Sequence, residues 1–151
     1  VDIVEVTPAS VQQRLRALHG AVERINRQVS ERMGINRSDL QCLELIARHG
    51  PTPAGEIAKL MRLPTGTMTT VIDRVERAGL AVRQRSASDR RRVLVSLTDQ
   101  GALRLFAMYA PLMATSAQNL SRYDAAELAV IDDFLRTSVQ LTEEYSPPEP
   151  E

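Results

Sequence analysis

The stretch "RQRSASDRRRVLVSLT", Arg83–Thr98, sets five arginines around one aspartate and then runs into an alternating apolar segment. Val93, Val95 and Leu97 alternate with Leu94 and Ser96, the period of a half-buried strand. Ala81–Arg85 and Arg92–Leu97 flank a polar tip, Ser86-Ala87-Ser88-Asp89-Arg90. The reading is a β-hairpin with a basic tip.

That concentration of charge stands out because the chain is neutral overall, with 19 Lys or Arg against 19 Asp or Glu. Residues 52–98 hold nine basic side chains against four acids, a surplus of five positive charges. Residues 123–151 hold Arg136 alone against eight acids, a surplus of seven negative charges. A basic middle and an acidic end imply a polyanion partner on one face, with the tail held away from it.

Upstream of the hairpin the periodicity is helical. Val11, Leu15, Leu18, Val22, Ile25, Val29 and Met33 recur at steps of four and three, one stripe of a long helix that starts near Pro8–Ser10 and ends at Gly34. Ser38-Asp39-Leu40-Gln41 reads as a capping box for a second helix, with Leu40, Leu43, Ile46 and Ala47 inward and a stop at Gly50-Pro51. Thr52-Pro53 is expected to open a third helix as cap and first turn, with Ile57, Ala58, Leu60 and Met61 apolar. Leu63-Pro64-Thr65-Gly66 breaks it. A fourth helix follows through Val71, Ile72, Val75 and Ala78, and Gly79 suits the left-handed position that ends it.

Downstream, Thr98 should cap a fifth helix, which Pro111 is expected to kink or divide. Asp124-Ala125-Ala126-Glu127 is a further capping box, and Leu128, Ile131, Leu135 and Ser138 stripe the last helix. Residues 146–151 read as a disordered tail. The fold class is mainly α with a small β-hairpin wing: a winged helix-turn-helix (about 36–98) with N- and C-terminal dimerisation helices (about 8–34 and 98–145). Those ends are expected to pack on each other and on a second copy.

At 151 residues, with 43% hydrophobic content, the chain can bury one domain's core. It shows no apolar run long enough for a transmembrane helix and no charged-then-apolar leader, so a cytoplasmic location without membrane contact is expected. Opening on Val1 rather than Met is consistent with a few earlier residues being absent. Cys42 is the single cysteine and His19 and His49 are isolated, so neither disulfide, metal site nor cofactor is expected. No nucleophile elbow, phosphate loop or paired-carboxylate motif is present, which argues against an enzyme.

From Asp73 the chain reads "DRVERAGLAVRQRSASDRRRVLVSLTDQG". This resembles the signature of the MarR (multiple antibiotic resistance regulator) family: Asp73-Arg74, Gly79-Leu80, Asp89-Arg90-Arg91 on the wing, then Leu97-Thr98 with Gly101. Upstream, "TPAGEIAKLMRLPTGTMTTVIDRVE" is similar to the family's helix-turn-helix. It departs at Leu63-Pro64-Thr65-Gly66, where a Ser-Pro pair is common, and at Thr70, where some members carry Arg. The resemblance implies a homodimeric repressor whose fourth helix enters the major groove of a pseudo-palindromic double-stranded operator. The wing would reach the flanking minor groove, with Arg91 inserted and Asp89 pairing across the tip.

The candidate DNA contacts are Ser38, Thr52, Thr65, Gly66, Thr67, Met68, Thr69, Thr70, Arg74, Arg85, Ser88, Asp89, Arg90, Arg91 and Arg92, with Arg83 adding to the basic hairpin. Arginines neutralise phosphate, and a wing-tip arginine suits a narrow minor groove. Hydroxyls at a helix start suit phosphate oxygens, and small side chains can approach thymine. By resemblance a small, often aromatic or phenolic, effector would bind between lobe and dimer helices and release DNA. Its candidate lining is Leu15, Leu18, His19, Cys42, Leu43, Ile46 and Arg74. Two alternatives stay open: a redox-sensing regulator of the same fold using Cys42, and a winged-helix protein-interaction module without DNA binding. Cys42, beside Leu43 and near Glu44, is expected not to be a switch.

Overall fold

The computed structural model describes residues 6–86, 89 and 92–146. Its elements are α1 (Pro8–Met33), α2 (Arg37–His49), β1 (Thr52–Pro53), α3 (Ala54–Leu60), α4 (Thr65–Arg77), β2 (Ala81–Arg85), β3 (Val93–Leu97), α5 (Asp99–Leu120) and α6 (Ala125–Glu144). This is a winged helix-turn-helix, mainly α. Two compact units divide the chain, residues 1–108 and 109–151.

The first unit's core is built from helical spacing. Leu40, Leu43 and Ile46 of α2, Ile57 of α3, and Met68, Val71, Ile72 and Val75 of α4 are all fully or nearly fully buried. The four α4 residues follow the i, i+3, i+4, i+7 spacing of one helix face. Leu80 and Val95 close that core from the strand side, and both are fully buried. Each such side chain contributes roughly 1.5–3 kcal/mol on burial.

The sheet order is β1-β3-β2, antiparallel throughout. β2 and β3 pair from Ala81↔Leu97 to Arg85↔Val93, which is the hairpin expected from the alternation. β1 was not legible as a strand. Thr52 and Pro53 pair with Val95 and Leu94 instead of opening a helix, and α3 starts at Ala54. The Thr52 hydroxyl donates to Gly50 O at 2.9 Å, so the turn after α2, not α3, uses it.

One further expectation is corrected and another is narrowed. The α2 capping box lies two residues early, on Asn36 and Asp39. The Asn36 side chain accepts from Asp39 N, and the Ser38 hydroxyl donates to Asn36 Oδ1. Asn36 outcompetes Ser38 because its amide oxygen reaches the orphan N–H and still accepts the Ser38 proton. Of the two outcomes expected at Pro111, a kink or a division, division is not seen: α5 runs through it as one helix.

The second unit holds the end of α5, residues 109–120, and α6. Asp124 caps α6 through Ala126 N and Glu127 N, as the motif indicated. α6 has no buried residue, although Val130, Phe134, Leu135, Val139 and Leu141 lie on it.

One junction ties the wing to α4 and α5. The α4 C-terminus turns through Gly79 at φ 70, a conformation that disfavours any side chain. Gly79 N and Leu80 N then donate to Glu76 O and Val75 O, closing the last turn. Thr98, after β3, donates its hydroxyl to Gly79 O at 2.7 Å and its N–H to Leu80 O at 3.1 Å. The same hydroxyl accepts from Gly101 N at 2.9 Å and so caps α5. Gly101 presses directly on this turn: a Cβ there would stand 2.0 Å from Leu80 O. Backbone cannot rotate away as a flexible side chain can. Gly101→Ala should therefore cost about 1–3 kcal/mol, read as a lowered denaturant midpoint. An unchanged midpoint would contradict this packing.

Candidate nucleic-acid interface

α4 begins at Thr65 after Pro64, and no side chain caps it. Its first backbone N–H groups, which lack intrahelical acceptors, are left to solvent or ligand. Thr65, Gly66, Thr67, Thr69 and Thr70 are exposed there. The space around a Cβ at Gly66 is open to 4 Å, so another backbone can approach closely. The Thr69 and Thr70 hydroxyls donate back to Thr65 O and Gly66 O at 3.1 and 3.2 Å. Their oxygens can still accept.

Met68 does not belong to this surface. It is 1% exposed and forms the first rung of the α4 core stripe. Thr52 is also removed from it, being buried in β1. Ser38 is half-buried at the start of α2, within 3.4 Å of Arg74 Nη2.

Arg74 is held rather than free. Its Nε donates to both Asp39 oxygens at 2.9 and 3.1 Å, and its Nη2 to Oδ1 at 2.6 Å. Asp39 is 3% exposed, so the pair joins α2 to α4 at the edge of the core. The hydrogen bond to Asp39 is the main cause that raises the Arg74 pKa, against a smaller opposing effect of burial. In the sequence Asp39 stands out only as part of a cap. Its position in the first turn of α2 and an arginine on the facing helix were the available signals.

Arg83 is held in the same way. Its backbone N–H donates to Glu76 Oε1 at 2.6 Å, its Nη1 to Glu76 Oε2, and its Nη2 meets Asp73 Oδ1 at 2.8 Å. Burial depresses the Arg83 pKa, but the hydrogen bond to Asp73 and the Glu76 charge outweigh it and the net direction is up. Arg85, Asp89 and Arg92 are exposed. Ser86 N donates to Arg92 O, and Arg92 N to Asp89 O, both at 2.9 Å, which closes the base of the hairpin turn. Ser88, Arg90 and Arg91 lie outside the described residues.

The expected effector lining is not assembled. Cys42, Leu43 and Ile46 are core residues at 0–2% exposure, whereas Leu18 and His19 face solvent on α1 and Leu15 is half-buried. Arg74 is occupied by Asp39. An open groove of about 320 Å³ lies instead along α1 and the start of α2, lined by Glu23, Arg27, Ser30, Glu31, Ile35, Asn36 and Arg37. None of the expected lining residues is in it. The described residues hold no group of three His, Cys, Asp or Glu placed for a metal ion, and no described helix is long and apolar enough to cross a membrane.

The MarR family model matches residues 35–93. YkoM of Bacillus subtilis (strain 168), an HTH-type transcriptional regulator, is 31% identical over 105 residues, covering 68% of each chain. The chain belongs to the MarR family. The transcriptional repressor MdtR of the same organism is 29% identical over 113 residues, 75% of this chain and 73% of its own. Streptococcus pneumoniae FabT, solved in complex with DNA, shares the fold at TM-score 0.69 and 23% identity, over 91% of this chain and 99% of its own.

In this MarR-family chain the cysteine is shielded. Burial pushes the Cys42 thiol up to about 12 from its ordinary 9.0, and the Asp39 carboxylate adds to the rise. The reactive thiolate is thereby suppressed at neutral pH. Because the folded state holds the proton more tightly, this contribution is intact below about pH 9 and is lost as pH rises toward 12. The stability difference between wild type and Cys42→Ala should shrink from pH 7 to pH 10.5, measured by urea unfolding. A constant difference would contradict the raised pKa.

Proposed function

We propose that this protein is a homodimeric DNA-binding transcriptional repressor, a regulator rather than an enzyme, that docks α4 in the major groove and its hairpin in the flanking minor groove. The observation that carries the reading is an exposed, side-chain-uncapped α4 N-terminus on the same lobe as exposed Arg85 and Arg92. Backbone donors at a helix start and flexible cations both favour phosphate. The names of the repressor MdtR and of the DNA-bound FabT support it.

Contacts divide into two kinds. Thr65, Gly66 and Thr67 hold the backbone and set the register, while Thr69 and Thr70 face base edges one turn further in. Arg85, Arg90, Arg91 and Arg92 supply charge, with Arg91 the minor-groove residue. Two copies would read a pseudo-palindrome, as two-fold symmetry requires. The dimer reading draws on α6, where Leu128, Val130, Phe134, Leu135, Val139 and Leu141 are exposed in a single chain and Ile131 is only half-buried. Apolar surface of that extent normally marks an interface. A small effector that changes lobe spacing would release DNA. Cys42 is not the sensor in this account, because its burial keeps oxidants away.

Affinity for a duplex carrying the selected operator should fall steeply with salt, by about 10³-fold or more between 50 and 200 mM if six or more phosphates are contacted. Arg91→Ala should weaken binding by about 1–3 kcal/mol. Binding that is insensitive to both would sink the reading. Sedimentation at micromolar concentration should report twice the 16.8 kDa chain mass; a clean monomer would remove the dimer.

A further inference from the structure

We infer that Arg83 is a positioning residue that clamps the hairpin to the second half of α4, so that helix and wing meet DNA as one rigid surface. The inference rests on the DNA-binding reading above and adds a part to it. Arg83 makes three contacts to α4 at once: backbone N–H to Glu76 Oε1 at 2.6 Å, Nη1 to Glu76 Oε2, and Nη2 to Asp73 Oδ1 at 2.8 Å. Asp73 and Glu76 stand three residues apart, neighbours on one helix face. A forked guanidinium can span two carboxylates in this way, while a lysine ammonium serves as a single point.

Two physical arguments separate this role from the obvious ones. Arg83 is matched by two carboxylates, so the cluster carries a net negative charge and offers no attraction to phosphate. Its side chain is 31% exposed and that of Asp73 46%, and ion pairs so wetted add little to stability. What the cluster does fix is geometry. β2 leaves α4 through the single turn at Gly79-Leu80, and the exposed Arg85 lies two residues beyond Arg83 on the same strand face. Without the clamp, the angle between helix and hairpin must be ordered during binding. With it, that order is present beforehand.

The test uses the full-length chain and two probes: the duplex that wild type enriches most from a randomised pool, and a scrambled duplex of equal length. Arg83→Gln and the double variant Asp73→Asn/Glu76→Gln should each bind the enriched duplex about tenfold more weakly, the scale of one ordering cost. Neither should show that loss on the scrambled duplex, where the double variant should bind at least as tightly as wild type, and Arg83→Lys should recover part of the loss on the enriched one. The double variant is decisive because it removes two negative charges from a DNA-facing lobe. Charge alone would make it bind more tightly. The clamp is overturned if the double variant binds the enriched duplex as well as wild type or better. It is equally overturned if Arg83→Gln lowers the salt slope by about 0.9, the mark of a lost phosphate contact. Equal losses on both duplexes would indicate damage to the fold and also overturn it. Wild-type protein that enriches no duplex at all would overturn the DNA reading itself.

Discussion

The contact between Gly101 and the Leu80 carbonyl is the constraint on which the lobe's geometry depends. A Cβ at position 101 would lie 2.0 Å from that oxygen. The first turn of α5 can therefore sit against the end of α4 only as glycine. Thr98 completes the joint, holding Gly79 O, Leu80 O and Gly101 N at once. Four segments meet here: the end of α4, the start of β2, the end of β3 and the start of α5. The hairpin is consequently not an appendage but the continuation of a locked corner.

Charge is partitioned on the same lobe with a clear division of labour. Arg74 and Arg83 are spent inside the protein, on Asp39 and on the Asp73–Glu76 pair. Arg85 and Arg92 are exposed. Arg74 thus ties α4 to α2 and Arg83 ties it to β2, whereas Arg85 and Arg92 are not drawn into the fold in this way. A count of positive charge along residues 52–98 overstates what a phosphate backbone would meet, since among the described residues at least Arg74 and Arg83 are already paired with this chain's own acids.

Most of the helical order and the hairpin were legible, because periodicity and glycine stops are local signals. Leu40, Leu43 and Ile46, or Val71, Ile72 and Val75, announce their buried faces by spacing alone. The two-residue β1 was not legible, since Thr52-Pro53 reads equally well as a helix start and its partner lies more than forty residues away. Met68 could have been found: it continues the Val71–Ile72–Val75 stripe by one turn, but its neighbouring threonines drew it to the surface reading. The ion pairs of Arg74 and Arg83 were hidden because they are tertiary. An arginine in a basic run looks the same in sequence whether it meets phosphate or a carboxylate. Three wing residues of the candidate site, Ser88, Arg90 and Arg91, lie outside the described structure.

The central claim is that α4's start and the hairpin form one DNA-reading surface. Backbone amide chemical shifts of the isotope-labelled protein, followed during titration with the enriched duplex, test it most directly. The account predicts that the largest changes fall on residues 65–70 and 85–93, with Cys42 and its α2 neighbours nearly still. Changes concentrated on α6, or on the α1 groove around Glu23 and Arg37, with residues 65–70 unmoved, would contradict it.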